Sequence, residues 1–168
     1  MANRAYLFSS DSSPEDPATW QEMERGGEHR YYDSRHGIPL AWFFFFRPHN
    51  AKRGEVARCM AGKDQAILLF EQRAVLLDQI VGPIFSGEAC KQFVTDVSRQ
   101  PGKCLCMDPL EVLEDGEEDW ARFQSILELI DADKPDLKSI AEAVSHYSRT
   151  QYKGESDMLL NVFGVTYA

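Results

Sequence analysis

The chain has 168 residues, 43% hydrophobic and 27% charged, with a formal net charge of −9. That is enough for one domain with a substantial core and short of two typical ones. The acidic balance disfavours nucleic acid as a direct partner, and no apolar run approaches the ~20 residues a membrane span needs. The start, Met1-Ala2-Asn3-Arg4, lacks an apolar h-region, and four cysteines do not suggest a disulfide scaffold. We therefore expect a reduced, cytoplasmic protein without a signal peptide.

In chain order, Arg4-Ala5-Tyr6-Leu7-Phe8-Ser9 reads as a first strand. Residues 10–37 form a long polar loop punctuated by Pro14, Pro17, Gly26 and Gly27, with a small helix expected near 18–25. Trp20, Tyr31 and Tyr32 in this loop either fold it back on the core or anchor a partner. The run Ile38-Pro39-Leu40-Ala41-Trp42-Phe43-Phe44-Phe45-Phe46 carries more apolar surface than any other stretch and should organise the core. Gly37-Ile38-Pro39 before it and Arg47-Pro48 after it favour two short helical turns over 39–46. At about 100° per residue, four successive phenylalanines spread around a helix. At least one is expected at the surface, where it could seed a homodimer or partner contact.

Residues 47–63 read as a basic, solvated loop without a glycine-rich phosphate cradle. Residues 65–71 are expected as a second, buried strand turning directly into a helix over 73–81, which Gly82-Pro83 stops. Ser86 caps the next helix, with Cys90, Phe93, Val94 and Val97 on one face. Residues 103–112 are the third strand candidate. Glu117, Glu118 and Asp119 occupy the first turn of the clearest helix, striped by Trp120, Phe123, Ile126, Leu127 and Ile130. Asp133 or Asp136 opens another helix, and residues 158–165 read as a final buried strand. The expected class is α+β: a mixed sheet of about four strands covered by helices, in one domain with a long loop at 10–37.

Charge is concentrated. Residues 104–136 hold eleven acids, among them Asp108, Glu111, Glu114, Asp115, Glu117, Glu118 and Asp119, against two bases. Their difference equals the whole chain's net charge, so one surface should be strongly negative and suited to a basic protein partner. Against this, a run such as Glu114-Asp115 with Glu117-Glu118-Asp119 also reads as a solvated helix start that aids only solubility.

Chemical motifs are sparse. Cys104 and Cys106 share one side of a strand, where two buried small hydrophobes are the simpler reading than half a zinc site. His29, His36 and His49 could converge on a metal, but without a recognisable ligand spacing. G-x-S-x-G is absent. No motif calls for a cofactor, and the absence of catalytic motifs favours a non-enzymatic protein.

Met1-Ala2-Asn3-Arg4-Ala5-Tyr6-Leu7, then Gly37-Ile38-Pro39-Leu40-Ala41-Trp42 and Arg47-Pro48-His49-Asn50, resembles an uncharacterised family of small bacterial cytosolic proteins. These open Met-Ala-Asn-Arg-x-Tyr-Leu and carry an Ile-Pro-Leu segment. The resemblance implies a helical 39–46 segment and no assigned activity, so no residue inherits a catalytic role. Some similar small acidic proteins are immunity proteins that neutralise toxins. Two functional expectations follow: an immunity-like protein-binding module using the acidic 108–136 surface, or a metal-dependent enzyme or metal-binding protein built on His29, His36 and His49.

Overall fold

A computed structural model describes residues 3–11, 31–53, 57–82, 87–109, 111–113 and 116–167. Trp20, His29, Glu114, Asp115, Ser86 and the helix expected near 18–25 lie outside the described residues. Strands β1 (Arg4–Ser10), β2 (Tyr31–Arg35), β3 (Ala51–Arg53), β4 (Ala57–Gly62), β5 (Cys104–Asp108) and β6 (Val165–Tyr167) form one sheet in the order β3-β4-β5-β1-β2-β6. The helices are α1 (Lys63–Val81), α2 (Gly87–Arg99), α3 (Glu117–Asp131), α4 (Leu137–Val144) and α5 (Glu155–Phe163). This is an α+β fold. All five described pairings are antiparallel, so among the described residues the sheet is antiparallel rather than mixed, with six strands rather than about four. No helix among the described residues is long and apolar enough to cross a membrane.

Alternation along the strands sorts the two sheet faces. Ala5 and Leu7, Tyr32, Cys59, and Leu105 with Met107 point into the main core with the helices. Tyr6, Phe8, Met60 and Cys106 form a smaller cluster on the opposite face, with Cys104 packed against it. Cys104 and Cys106 therefore do share a side, and their sulfurs belong to that cluster.

The aromatic run is a 3-10 helix, Leu40–Phe45, introduced by Pro39 in extended geometry. The helical reading of 39–46 holds, in the tighter 3-10 form. The surface phenylalanine does not: Trp42 and all four phenylalanines are 0% exposed. The segment packs against α1, α3 and α5, so side chains leaving it in every direction meet protein. Phe43 reaches Phe123 of α3, and Phe45 stacks on Phe70 of α1 with ring centroids 4.5 Å apart. The indole Nε1 of Trp42 donates to the Phe163 carbonyl at 2.9 Å, which satisfies its one polar atom inside the core. This stretch offers no phenylalanine for a contact between copies. Gly164 follows α5 with φ +82°, and a Cβ there would stand 2.9 Å from the Trp42 ring, so a small left-handed residue is needed where α5 hands over to β6.

A buried cation pins the end of this helix. Arg73 of α1 is 9% exposed; its Nη1 donates to the Phe46 carbonyl at 2.9 Å and its Nη2 to Asp131. Arg47 adds a 2.8 Å ion pair to the same Asp131 oxygen. Burial weakens Arg73's hold on its proton, and the Asp131 carboxylate opposes that loss. The guanidinium thus ties α1, α3 and the aromatic segment at one point.

Two expected strands are helices. Residues 65–71 form the first half of α1, because Ala66, Leu69, Phe70, Arg73, Leu77 and Val81 are buried at helical spacing. Residues 158–163 belong to α5, with Met158, Val162 and Phe163 inward, and only Val165–Tyr167 form a strand. Conversely, β2 lies inside the expected loop at 10–37, and β3 and β4 lie inside the expected basic loop. The third expected strand ends at Asp108, before Pro109. Helices α2 and α3 fall where the apolar stripes place them, and α4 is capped by Asp136, whose side chain accepts from Ser139 N.

Candidate functional site

The acidic segment divides into carboxylates used inside the fold and carboxylates left in water. Asp108 is buried at the end of β5. Asp119 is buried: its Oδ1 accepts from the Tyr147 hydroxyl at 3.1 Å and lies 3.5 Å from Arg122 Nη1 and 3.6 Å from His146 Nε2. It is the anchor between α3 and the turn after α4. Asp131 belongs to the Arg73 tie. Tyr32 is likewise a core residue, packed edge-to-face on Phe93 with centroids 5.1 Å apart, and Tyr31 opens β2 beside Phe8. Asp108, Asp119 and Tyr32 therefore leave the set of exposed partner-binding residues, because the sheet and α3 spend them on packing.

Glu111, Glu117 and Glu118 remain outside. The Glu117 side chain is 93% exposed, with the Arg53 guanidinium 3.8 Å away. Glu118 pairs with Arg122 one turn along α3, and Glu111 accepts from the Arg4 backbone N–H at 3.1 Å. Exposed pairs of this kind contribute little stability, so none of these carboxylates is needed to hold the fold. Glu117 and Glu118 sit at the N-terminal turn of α3, where the helix dipole favours negative charge.

The histidine expectation has no common centre among the described residues. His36 borders a depression beside Tyr147, whereas His49 borders another lined by α1. No group of three or more metal-ligating side chains stands together among the described residues. His146 is exposed on the turn after α4.

One constellation was not visible in the sequence. Tyr6 on β1 stands directly between Asp33 on β2 and Asp108 on β5, all three on the second sheet face. Arg4, two residues before Tyr6 and on the same face, reaches Asp33 Oδ2 at 2.5 Å. Asp33 is 2% exposed, and its Oδ1 has no hydrogen-bond partner among the described residues. Burial, then Glu111 and Asp33, push the Tyr6 phenol up to about 12. The signal that could have found this row is the spacing of Arg4, Tyr6 and Phe8 against Asp33 and Arg35, which becomes readable only once β1 and β2 are paired.

These buried acids make alkaline stability predictable. Burial raises Cys106 from an ordinary 9.0 to about 12 and Tyr152 from 10.0 to about 12, in line with Tyr6. Each group holds its proton more tightly folded than unfolded, so its stabilising contribution is complete below the unfolded value and is lost as pH rises through the folded one. Unfolding free energy from urea melts should be level up to about pH 9 and fall steadily toward pH 12 on this basis. A stability that rises over that window overturns the assignment.

A groove runs along the far edge of the sheet. Two adjoining depressions, of about 400 and 200 Å³, share Ser34, Arg35 and Asn161. One is bordered also by Leu160 and Val165, the other by His36 and Arg149. Its wall is fixed by the packing of residues 36–38 on 147–148. Ile38 N donates to the Tyr147 carbonyl at 2.9 Å, and the Ser148 hydroxyl donates to the Ile38 carbonyl. Gly37 permits this approach, since a Cβ there would collide with the Tyr147 oxygen. His36 takes a left-handed φ of +62°, the one described non-glycine residue with positive φ.

No family model, no curated protein and no solved structure matches this chain, so its functional reading rests on its own geometry.

Proposed function

We propose that this chain is a non-enzymatic protein-binding module, immunity-like in kind, that offers the carboxylates at the start of α3 to a basic protein. The observation that carries this reading is Glu117, whose side chain is 93% exposed and 3.8 Å from the Arg53 guanidinium. Glu118 and Glu111 lie exposed in the same part of the chain, and the net charge of −9 originates in this segment. A concentrated field of one sign raises the encounter rate with an oppositely charged partner and rejects acidic competitors.

The test is charge reversal confined to exposed positions. Glu111→Lys, Glu117→Lys and Glu118→Lys together should preserve the melting temperature within a few degrees, because none of the three supports the core. Asp119 is left intact because its carboxylate holds Tyr147. Immobilised wild type should capture basic proteins from host extract at low salt. The triple variant should lose them, with association slowed by about tenfold or more. Capture that is equal for both forms, or insensitive to salt, rejects the proposal.

A further inference from the structure

The sheet edge carries a position that no described residue fills. β2 pairs with β1 along all five residues, but with β6 only from Tyr31 to Asp33. His36 N donates to Asn3 O at 2.7 Å, which makes that pair hydrogen-bonded and the adjacent Arg4–Arg35 pair non-hydrogen-bonded. The peptide N–H and C=O of Arg35 therefore point away from β1, to the side where β6 has not yet begun. The chain enters β6 from α5 through Gly164 instead of extending β6 alongside Arg35. What remains there is the groove.

Its lining combines three kinds of group. Arg35 supplies main-chain donor and acceptor together with an exposed guanidinium, and no described carboxylate pairs with it. Arg149 supplies a second exposed guanidinium, held loosely by Asp157 at 3.6 Å. Leu160 and Val165, 51% and 39% exposed, are two of the few large apolar side chains left at the surface. Asp33 also borders the groove, but it is buried and paired with Arg4. On a protein of net charge −9, this is a locally cationic, partly apolar slot beside a strand edge left unpaired among the described residues.

We propose that the groove takes the carboxyl-terminal tail of a partner protein, bound as a short extended strand. The tail's main chain pairs with the Arg35 peptide group, as in strand addition. Its terminal carboxylate lies against Arg35 and Arg149, whose forked donors suit a carboxylate. The last side chain is apolar and covers Leu160 and Val165. The clamp between residues 36–38 and 147–148 is already formed, so little ordering is required on binding. This surface is distinct from the acidic start of α3, and the two can be tested separately.

The experiment uses the full chain, isotope-labelled, titrated with an N-acetylated tetrapeptide ending in leucine, as the free acid and as the amide. The free acid should shift the methyl signals of Leu160 and Val165 and the backbone amide of Arg35, with at least fivefold tighter binding than the amide. Arg35→Glu should abolish the shifts. Arg149→Gln, a milder change at an exposed position, should weaken binding severalfold while the melting curve stays unchanged. Equal binding of acid and amide overturns the proposal, as does an absence of shifts at millimolar peptide. If sodium acetate at the same concentration reproduces the shifts, the site holds an adventitious ion only, and the proposal is likewise overturned.

Discussion

Phe45→Ala should lower the unfolding free energy by about 3–5 kcal/mol. The ring is fully buried, stacked on Phe70 and tilted against Phe93 at 5.7 Å. Truncation removes the transfer term of a whole phenyl group and leaves a cavity between the 3-10 segment and α1. That cavity cannot collapse easily, because Phe44 and Phe46 on either side are already packed. Phe45→Leu, which keeps most of the volume, should cost less than half as much. Urea melts followed by tryptophan fluorescence provide the readout. A loss under 1 kcal/mol for the alanine variant would show that the contact between the 3-10 segment and α1 is looser than its packing implies.

Arg73→Met should cost about 3 kcal/mol, although methionine keeps the apolar stem. The loss comes from the groups left behind: the Phe46 carbonyl and the Asp131 carboxylate lose a buried partner. Arg73→Lys should not rescue it, since one ammonium cannot serve a carbonyl and a carboxylate in the same fork geometry. Combining Arg73→Met with Asp131→Leu removes both charges, and should recover more than half of the deficit. If the double variant is as unstable as the sum of the two single variants, Arg73 and Asp131 do not act as a pair.

The parts of the fold legible in the sequence were those with long, one-sided periodicity. Phe93 and Val97 in α2, and Phe123, Ile126, Leu127 and Ile130 in α3, bury one stripe each, and both helices lie where that spacing put them. Short, wholly apolar runs were ambiguous. Gln65-Ala66-Ile67-Leu68-Leu69-Phe70 satisfies a strand as well as a helix, and only its continuity with Arg73, Leu77 and Val81 decides the matter. Polar strands were missed for the opposite reason. Tyr31-Tyr32-Asp33-Ser34-Arg35 looks like loop until Tyr32 is seen to enter the core while Asp33 meets Arg4 across the pair. The candidate sites followed the same rule. Charge concentration around Glu117 is a property of composition and was visible, whereas the edge at Arg35 depends on where β6 begins, which no local pattern encodes.

The hydrogen bond from Trp42 to Phe163 spans 121 residues, and β1 must wait for β5, about a hundred residues later, before its second neighbour exists. At translation rates of about 5–20 residues per second, the tryptophan and four phenylalanines are made many seconds before their last cover. Contacts so distant along the chain also slow folding itself, because loop closure precedes any reward from packing. The feature that gives the finished protein its dense interior is thus the hazard of its youth: a nascent chain halted before α5 displays adhesive aromatic surface, a natural target for chaperones and a source of aggregates in truncated products.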